Sequence, residues 1–431
     1  MKFTRVGVAL AAVAIVASAC SGSSSGGKTI TIGISLPLTG SSLASAGPAR
    51  DGALLAIKEA NAAGTVKGYT INTTILDHSV NGQYDAQQGA KDMTTLVANS
   101  SVMAVVGPFN SAVAKVQIPI SNAAGLLQCS PANTNQDLTK GAPGLQLRAA
   151  NPTKINYIRV ATTDDIQGPA VAQFAYQDLG LKNVAIVDDL SVYGKGIADT
   201  FSQEFTSLGG KVVDREGADP KTTDYSAILT KFAGLKPDSV FFGGVTANGG
   251  GLLRKQMSQA GLGSLPFLGG DGIQDQNGGV SGSFINIAGA AAANSYSSVA
   301  AIHDIPDAAA FATKYQAEYK TDPGAYSASG YACAQIIIQA LSTAAGKGDI
   351  TREAVRAAAT DTTTTFQTVL GPVMFDSVGD TNQKIISLYK VDPTAASGKG
   401  DWAFVKQINY AGGAAAPGGS PAASGSPAPS Q

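Results

Sequence analysis

The feature that most constrains the fold is an alternation of strand-like and helix-like segments that runs along the chain and then starts again. In the first series, period-two apolar runs such as residues 29–35 and 69–77 alternate with helical patterns, the first of which ends at Gly64. The series restarts at the apolar run 183–189. Strands separated by helices of this length form parallel sheets that are covered on both faces. The sequence therefore predicts an α/β protein with two doubly wound lobes.

The last part of the chain breaks this rhythm. After Pro306 two helical patterns follow one another with no long strand between them, and strand-like runs return at residues 385–391 and 402–408. These late strands must complete sheets begun earlier, so the chain crosses between the lobes several times. In such sheets ligands bind beyond the C-terminal ends of the strands. Four segments have that position here: 107–111, 130–134, 188–194 and 269–272.

The N-terminus reads as an export leader. A short positive region is followed by the apolar run VGVALAAVAIVA and the small residues 17–19, which is typical of a signal peptide over residues 1–19. Cys20 comes next, as in a bacterial lipobox, although Ala17 stands where leucine is usual; ordinary secretion with an unmodified Cys20 is the alternative. Residues 20–28 then read as a Ser/Gly tether. The sequence there also matches the pattern of a phosphate-binding loop. Such a loop needs a strand before it and a helix after it, and the sequence predicts neither.

Composition argues against several classes of protein. The formal net charge is −1 and only 14% of residues are charged, with no basic block, so nucleic acid is not an expected partner and membrane contact is expected through the lipid anchor only. Two histidines, His78 and His303, have no partner at metal-ligand spacing and are predicted in loops or at the surface. We therefore expect no metal and no cofactor. The Pro/Gly/Ala/Ser-rich stretch 411–431 is predicted to be disordered.

The order of several motifs resembles the branched-chain amino-acid (Leu/Ile/Val) binding protein family, which are type I periplasmic solute receptors of ABC transporters. The motifs are LPLTG, ARDGALLAIKEANAAG, VVGPFNSA, SPANTNQDLT, QGPAVAQF, VDDLSVYGKG, VFFGG and LGGDG. The resemblance covers residues 29 to about 410. It implies two Rossmann-like lobes joined by a three-strand hinge, with lobe 1 at 29–161 and 300–371 and lobe 2 at 162–299 and 372–410.

The resemblance also assigns site residues by position. It implies that the ligand carboxylate is bound by Ser111 and by Ala132 and Thr134 in the SPANT turn. A helix beginning at Ser111 would favour an anion there; a simple helix cap is the alternative reading of Ser111.

Across the cleft, the resemblance implies that Tyr193 faces the ligand, that Asp271 pairs with its ammonium group, and that Tyr326 lines the side-chain pocket. Packing is the alternative for Tyr193, and a turn-forming role for Asp271. Two positions depart from the family: Ala46 and Val245 stand where relatives have aromatic residues. The resemblance therefore does not specify the side chain of the ligand.

We therefore expect a lipid-anchored, extracytoplasmic solute-binding protein that captures an amino acid, branched-chain-like, and delivers it to ABC permease subunits. The alternatives are an amide, urea or aromatic-acid ligand, a sensor with the same fold, or an ectoenzyme. The ectoenzyme has little support, because the only G-x-S-x-G lies at 22–26 in the tether. The acid pairs at 164–165 and 188–189 are interpreted as helix caps.

Cys129 and Cys333 both fall in lobe 1 by the resemblance. In an oxidising compartment a disulfide between them is possible. Two buried free thiols are an equal alternative, because the sequence does not give the distance between the two Cα atoms.

Overall fold

The computed structural model of the protein describes residues 27–410. The predicted signal peptide, Cys20 and the tail 411–431 lie outside these residues. The first strand begins at Lys28, so the last residue assigned to the tether belongs to the folded body. None of the helices in this part of the chain has the length and hydropathy needed to cross a membrane.

Lobe 1 is built on a five-stranded parallel sheet with the strand order β2-β1-β5-β6-β7. Its elements, with a small hairpin of β3 and β4, are β1 Lys28–Leu36, α1 Leu43–Ala63, β2 Tyr69–Asp77, β3 Ser79–Val80, β4 Gln83–Tyr84, α2 Ala86–Ala98, β5 Val102–Val106, α3 Ser111–Ala123, β6 Leu127–Ser130, α4 Gly141–Leu147 and β7 Tyr157–Arg159.

Lobe 2 is built on a seven-stranded sheet with the order β16-β15-β12-β11-β10-β8-β9. Its elements are α5 Asp164–Gln173, β8 Asn183–Asp188, α6 Val192–Ser207, β9 Lys211–Gly217, α7 Ser226–Leu235, β10 Ser239–Gly243, α8 Gly250–Met257, β11 Phe267–Gly269, α9 Phe284–Ala288 and β12 Ser295–Val299, with β15 Ile385–Asp392 and β16 Asp401–Asn409 added from the end of the chain. Strands β8 to β12 are parallel, whereas β15 and β16 are antiparallel. This differs from the all-parallel expectation because a short connection joins β15 to β16, and only antiparallel neighbours can be joined that way.

The chain returns to lobe 1 between β12 and β15. This return contains α10 Ala308–Tyr319, α11 Ser327–Lys347, α12 Arg352–Ala359 and a hairpin of β13 Phe366–Thr368 and β14 Gly371–Val373. Val373 and Phe375 are buried in the same core as the first sheet, although the sequence reading placed 372–410 in lobe 2. The hairpin register explains the difference, since Val373 pairs with Phe366 and cannot leave the lobe that holds it.

Helices α1 and α11 pack on each other and cover one face of the first sheet. Helix α1 ends where Gly64 takes the left-handed conformation, with φ of 61°. The two helices approach closely at glycines: a Cβ on Gly330 would lie 1.9 Å from the carbonyl oxygen of Ala49. A disulfide joins Cys129 in β6 to Cys333 in α11, with the Cα atoms 5.5 Å apart. The sheet and its covering helix are thus linked covalently.

Three segments that cross between the lobes lie side by side. The Thr162 backbone N–H donates to the carbonyl oxygen of Ala300 at 2.8 Å, and the Thr162 hydroxyl donates to the carbonyl oxygen of Gln383 at 2.8 Å. Each of these residues lies on a different crossing, so the hydrogen bonds tie the three segments into one hinge. A hinge of this kind lets two lobes close over a ligand as nearly rigid bodies.

Both histidines lie in loops, as predicted. His78, in the connection between β2 and β3, is nevertheless fully buried, and burial lowers the pKa of its imidazole to about 4; its Nδ1 lies 3.2 Å from the Ser35 hydroxyl. His303 is one-third exposed and stacks on Phe404 with ring centroids 3.9 Å apart. No group of three or more potential metal ligands occurs within residues 27–410.

Candidate functional site

A small cavity of about 30 Å³ lies between the lobes. It sits beyond the C-terminal ends of β5, β6, β8, β10 and β11, where the loops of the two sheets face each other. Five of the six residues assigned by the resemblance line it. The lining consists of Tyr84, Phe109, Asn110, Ser111, Ala112, Ala132, Ser191, Tyr193, Val245, Asp271, Gly272 and Tyr326.

The lobe 1 side of the cavity presents hydrogen-bond donors. Ser111 is the first residue of α3, and Asn110 rather than Ser111 is the N-cap, so the reading of Ser111 as a cap was wrong. The first N–H groups of a helix have no partner within the helix and carry its positive dipole end. Here those of Ser111 and Ala112 border the cavity. This side suits a carboxylate.

The loop after β6 completes this side in part. The Ala132 N–H donates a long hydrogen bond of 3.3 Å to the Ser130 hydroxyl oxygen. Thr134 does not border the cavity. Its hydroxyl is buried and has no hydrogen-bond partner in the described part of the chain, and its carbonyl oxygen accepts from the Asp164 N–H at 2.7 Å.

The opposite side is organised around the carboxylate of Asp271. The Tyr193 hydroxyl donates to Asp271 Oδ1 at 2.8 Å and accepts from the Gly272 N–H at 3.0 Å. The Tyr326 hydroxyl, which belongs to lobe 1, lies 3.2 Å from Asp271 Oδ2 and 3.0 Å from the Asp271 carbonyl oxygen. Burial raises the pKa of Asp271 to about 6, while the tyrosine hydrogen bonds act in the opposite direction. Asp271 therefore carries its charge at neutral pH without a cationic partner.

Asp164 is a buried acid close enough to Asp271 to interact with it electrostatically, but it does not border the cavity. It was interpreted as a helix cap, but the N-cap of α5 is Thr163, and neither carboxyl oxygen of Asp164 has a hydrogen-bond partner within residues 27–410 by distance and angle. Burial, with a further contribution from the negative charge of Asp271, raises the pKa of Asp164 well above its usual range. The raised pKa favours the protonated, neutral form of this acid.

The other acid pair has a structural role. Asp189 accepts hydrogen bonds from the Asn248 side chain at 2.7 Å and from the Ser191 backbone at 3.0 Å, and Asp188 bonds to Arg215. These contacts hold the loop before α6, whose N-cap is Ser191.

Aromatic rings form part of the wall. Phe109 and Tyr326 make an edge-to-face pair with centroids 4.8 Å apart, and Tyr84 from β4 bonds to Asn248 at 3.1 Å between its hydroxyl and the amide nitrogen. Val245 lines the cavity as expected, but Ala46 is buried inside α1 rather than in a loop and does not border it. Positions 46 and 245 lack the aromatic residues that the family has there. Tyr84 and Phe109 supply aromatic surface to the cavity from other positions.

The cavity thus has donors on one side, the Asp271 carboxylate without a cationic partner on the other, and aromatic rings in its wall. That arrangement is complementary to a small molecule with an anionic end, a cationic end and a short apolar group. The Tyr326–Asp271 hydrogen bond joins the two lobes directly across it.

Comparison with known proteins identifies the family. The sequence profile of the periplasmic binding protein family matches residues 29–399. The chain is 31% identical over 402 residues to a Leu/Ile/Val-binding protein homolog of Brucella melitensis, which covers 93% of this chain and 98% of that protein. It is 30% identical over 365 residues to the Leu/Ile/Val-binding protein BraC3 of Rhizobium johnstonii, covering 84% of this chain and 91% of the other.

Solved structures give the same result. A leucine-binding protein LivK from Thermotoga maritima superimposes with a TM-score of 0.74 at 25% identity, over 88% of this chain and 99% of that one. The substrate-binding protein LivJ from Streptococcus pneumoniae in complex with isoleucine gives 0.72 at 26% identity, over 88% and 100%. A benzoate-bound solute-binding protein of Rhodopseudomonas palustris shares the fold, with 0.71 at 19% identity. The chain belongs to the periplasmic binding protein family, as a type I substrate-binding protein of the ABC-transporter class.

Proposed function

We propose that the protein captures a small aliphatic α-amino acid, branched-chain-like, in the cleft between its lobes and presents it to ABC permease subunits. The observation that carries this proposal is the buried Asp271 carboxylate, which lines the same cavity as the first residues of α3. The ligand carboxylate would lie at Ser111 and Ala132. Its ammonium group would pair with Asp271.

A zwitterion of this kind also explains closure. Its two charges would contact different lobes, so it would bind the closed arrangement better than the open one. That difference in affinity is what shifts the equilibrium between two conformations. The ring of Tyr326 and the side chains of Phe109 and Val245 would contact the aliphatic group.

An aromatic acid is the second candidate ligand, because a structural neighbour is in complex with benzoate and several aromatic rings border the cavity. The buried acids favour the amino acid. A ligand with no cationic group would leave the buried Asp271 carboxylate without a cationic partner, and an unpaired buried charge is costly. An amide or urea ligand would donate hydrogen bonds to this acid without neutralising it.

Thermal denaturation tests the ligand class. Isoleucine, leucine and valine should each raise the melting temperature, whereas benzoate and urea should not. A ligand at a hundred times its dissociation constant adds about 2.7 kcal/mol of stability. A melting temperature that rises with benzoate or urea and not with any of the three amino acids would overturn the proposal. Neighbouring permease and ATPase genes would separate a transporter component from a sensor.

We also propose that the protein acts by binding and not by catalysis, and that Cys20 anchors it to the outer face of the bacterial membrane. The first point is supported by the cavity lining in the described residues, which holds no histidine or lysine to serve as a base beside Ser111. The second rests on the leader sequence. Stable attachment needs about two acyl chains, so Cys20→Ser should move the protein from the membrane fraction to the soluble fraction. Equal membrane association of the variant would contradict lipidation.

A further inference from the structure

The buried imidazole of His78 lies next to a residue that borders the ligand cavity. His78 follows β2, and its backbone N–H donates to the carbonyl oxygen of Leu36 at 3.2 Å. Burial lowers the pKa of the ring, and a side-chain interaction with Asn110, the N-cap of α3, acts in the opposite direction. Asn110 is 8% exposed and lines the cavity. His78 is therefore separated from the ligand cavity by one side chain.

The two side chains present complementary atoms to each other. The Nε2 atom of His78 and the Oδ1 atom of Asn110 are both buried, and neither has a hydrogen-bond partner by distance and angle within residues 27–410. Asparagine at an N-cap usually accepts from its own helix, but the Asn110 side chain does not. Of its two amide atoms the oxygen is the enclosed one, so the nitrogen is left to face the cavity.

The hydrogen bonds behind His78 determine which ring nitrogen carries the proton. The Gln117 side-chain nitrogen donates to the backbone carbonyl oxygen of Gly89 at 2.8 Å, and a carbonyl oxygen can only accept. The same nitrogen donates to the Ser35 hydroxyl oxygen at 3.0 Å. Ser35 thus keeps its own hydrogen to donate, and the His78 Nδ1 atom lies 3.2 Å away. A neutral imidazole that accepts at Nδ1 carries its proton on Nε2.

The proton on Nε2 in turn sets the orientation of the Asn110 amide. An Nε2–H group pairs with the amide oxygen and not with the NH2 group, so the NH2 group is turned to the cavity. Asn110 precedes Ser111, where the ligand carboxylate is proposed to lie, and an amide donor there would make a charge-assisted hydrogen bond. The opposite tautomer of His78 would turn the amide round and present an oxygen atom that repels the carboxylate.

We propose that Asn110 is a ligand-binding residue whose NH2 group donates to the ligand carboxylate, and that His78 is the positioning residue that holds this amide in the donating orientation. The inference rests on the proposed function, because it needs a carboxylate at the start of α3. The orientation of the amide does not depend on the ligand, since it follows from the hydrogen bonds that begin at the Gly89 carbonyl oxygen.

The tautomer of His78 can be measured without a ligand. The chain has two histidines, so nitrogen NMR of the mature protein with isotope-labelled histidine gives two sets of ring signals, and His303→Gln identifies those of His78. At neutral pH the spectra distinguish a ring nitrogen that carries a proton from one that does not. We expect the proton on Nε2. A proton on Nδ1, or exchange between the two forms, would overturn the proposal even if isoleucine binds.

Two substitutions of His78 separate positioning from packing. Glutamine places its nitrogen where Nε2 lies and can still donate to Asn110, whereas asparagine is too short to reach it. Both remove the ring, and melting temperatures identify a variant that fails to fold. By calorimetry we expect His78→Gln to bind isoleucine within about threefold of wild type and His78→Asn to bind about tenfold more weakly. Equal affinities of the two folded variants would mean that His78 only packs and would overturn its role.

Asn110→Asp tests the donor itself. Aspartate and asparagine are equally good N-caps, so α3 should be kept, but two oxygens would then face the ligand carboxylate. We expect isoleucine to bind about a hundredfold more weakly. Asn99→Asp, at the exposed end of α2, is the matched control and should bind as wild type does. An affinity of folded Asn110→Asp equal to that of the control would refute the hydrogen bond to the carboxylate.

The link between the two residues is tested in an Asn110→Ala background. There His78→Asn should cause no further loss of isoleucine affinity, because no amide is left to position. A loss of the same size in both backgrounds would show that His78 acts independently of Asn110 and would overturn the positioning role. The expected tautomer in a protein that binds no isoleucine would support the orientation of the amide and overturn the proposed function, so the two failures are distinguishable.

Discussion

The charge of Asp271 provides the sharpest test of the proposed site. The substitution Asp271→Asn keeps the size of the side chain and leaves a carbonyl oxygen that can accept from the Tyr193 hydroxyl. It removes the negative charge that would face the ligand ammonium. The side chain is 5% exposed, so solvent can do little to replace that charge.

The size of the effect follows from the surroundings of Asp271. Truncating one partner of a buried charge pair costs about 2–5 kcal/mol in affinity. The asparagine keeps a carbonyl dipole that can face the ammonium group, so the loss should lie in the lower part of this range, about 2–3 kcal/mol, which is about a 30- to 150-fold weaker Kd. The ligand-free variant should melt no lower than wild type, because burial already disfavours the charged form of Asp271.

Isothermal titration calorimetry with isoleucine at about pH 7.5 measures the effect. Asp137→Asn, which removes an exposed carboxylate on lobe 1, is the matched control and should bind as wild type does. A Kd within about threefold of wild type for a folded Asp271→Asn protein would refute the pairing of this acid with a ligand ammonium.

Three further predictions follow from the same contacts. Affinity for isoleucine should be constant above about pH 7 and fall about tenfold per pH unit below about pH 6, because the free Asp271 has a pKa of about 6 and must lose its proton when the ammonium binds; a flat Kd between about pH 5 and 7 would contradict this. Tyr326→Phe should weaken binding of isoleucine about fivefold, because it removes the hydrogen bond from the hydroxyl to lobe 2, which contributes about 1 kcal/mol. Tyr319→Phe loses a hydrogen bond to Asp51 within lobe 1 and should bind isoleucine as wild type does. Reduction of the 129–333 disulfide should lower the free energy of unfolding by about 2–5 kcal/mol in urea titrations; attachment of two alkylating labels to the unfolded, unreduced protein would show instead that the bond is absent.

Much of the fold was predictable because its signals are local. The period-two runs that became β1 and β8, and the left-handed Gly64 that ends α1, depend on nearby residues only. The direction of β15 and β16 was not predictable in the same way. A strand's apolar pattern does not record which neighbour it pairs with, and here the pairing was set by a short connection and by the return of the chain from lobe 1.

The candidate site shows a similar division. Ser111 and Asp271 could be located because the motifs around them fix their position at strand ends. The burial of Asp164 and the place of Tyr84 in the site were missed because they depend on tertiary structure: Asp164 differs from the exposed Asp165 beside it only in what packs around it. Tyr84 reaches the cavity through the small β3–β4 hairpin, whose two-residue strands are too short to give a periodic signal.

The position of α11 also has a consequence for how the chain is assembled. All five strands of the first sheet precede residue 160, but α11, one of the two helices that cover one face of that sheet, begins at Ser327. A chain delivered from its N-terminus would leave part of this apolar face uncovered until nearly all of lobe 2 had followed. Lobe 2 has most of its strands in one continuous stretch and could form first. Lobe 2 would then fold before lobe 1, the reverse of their order in the sequence. The Cys129–Cys333 bond, which spans 204 residues, would form when lobe 1 is complete.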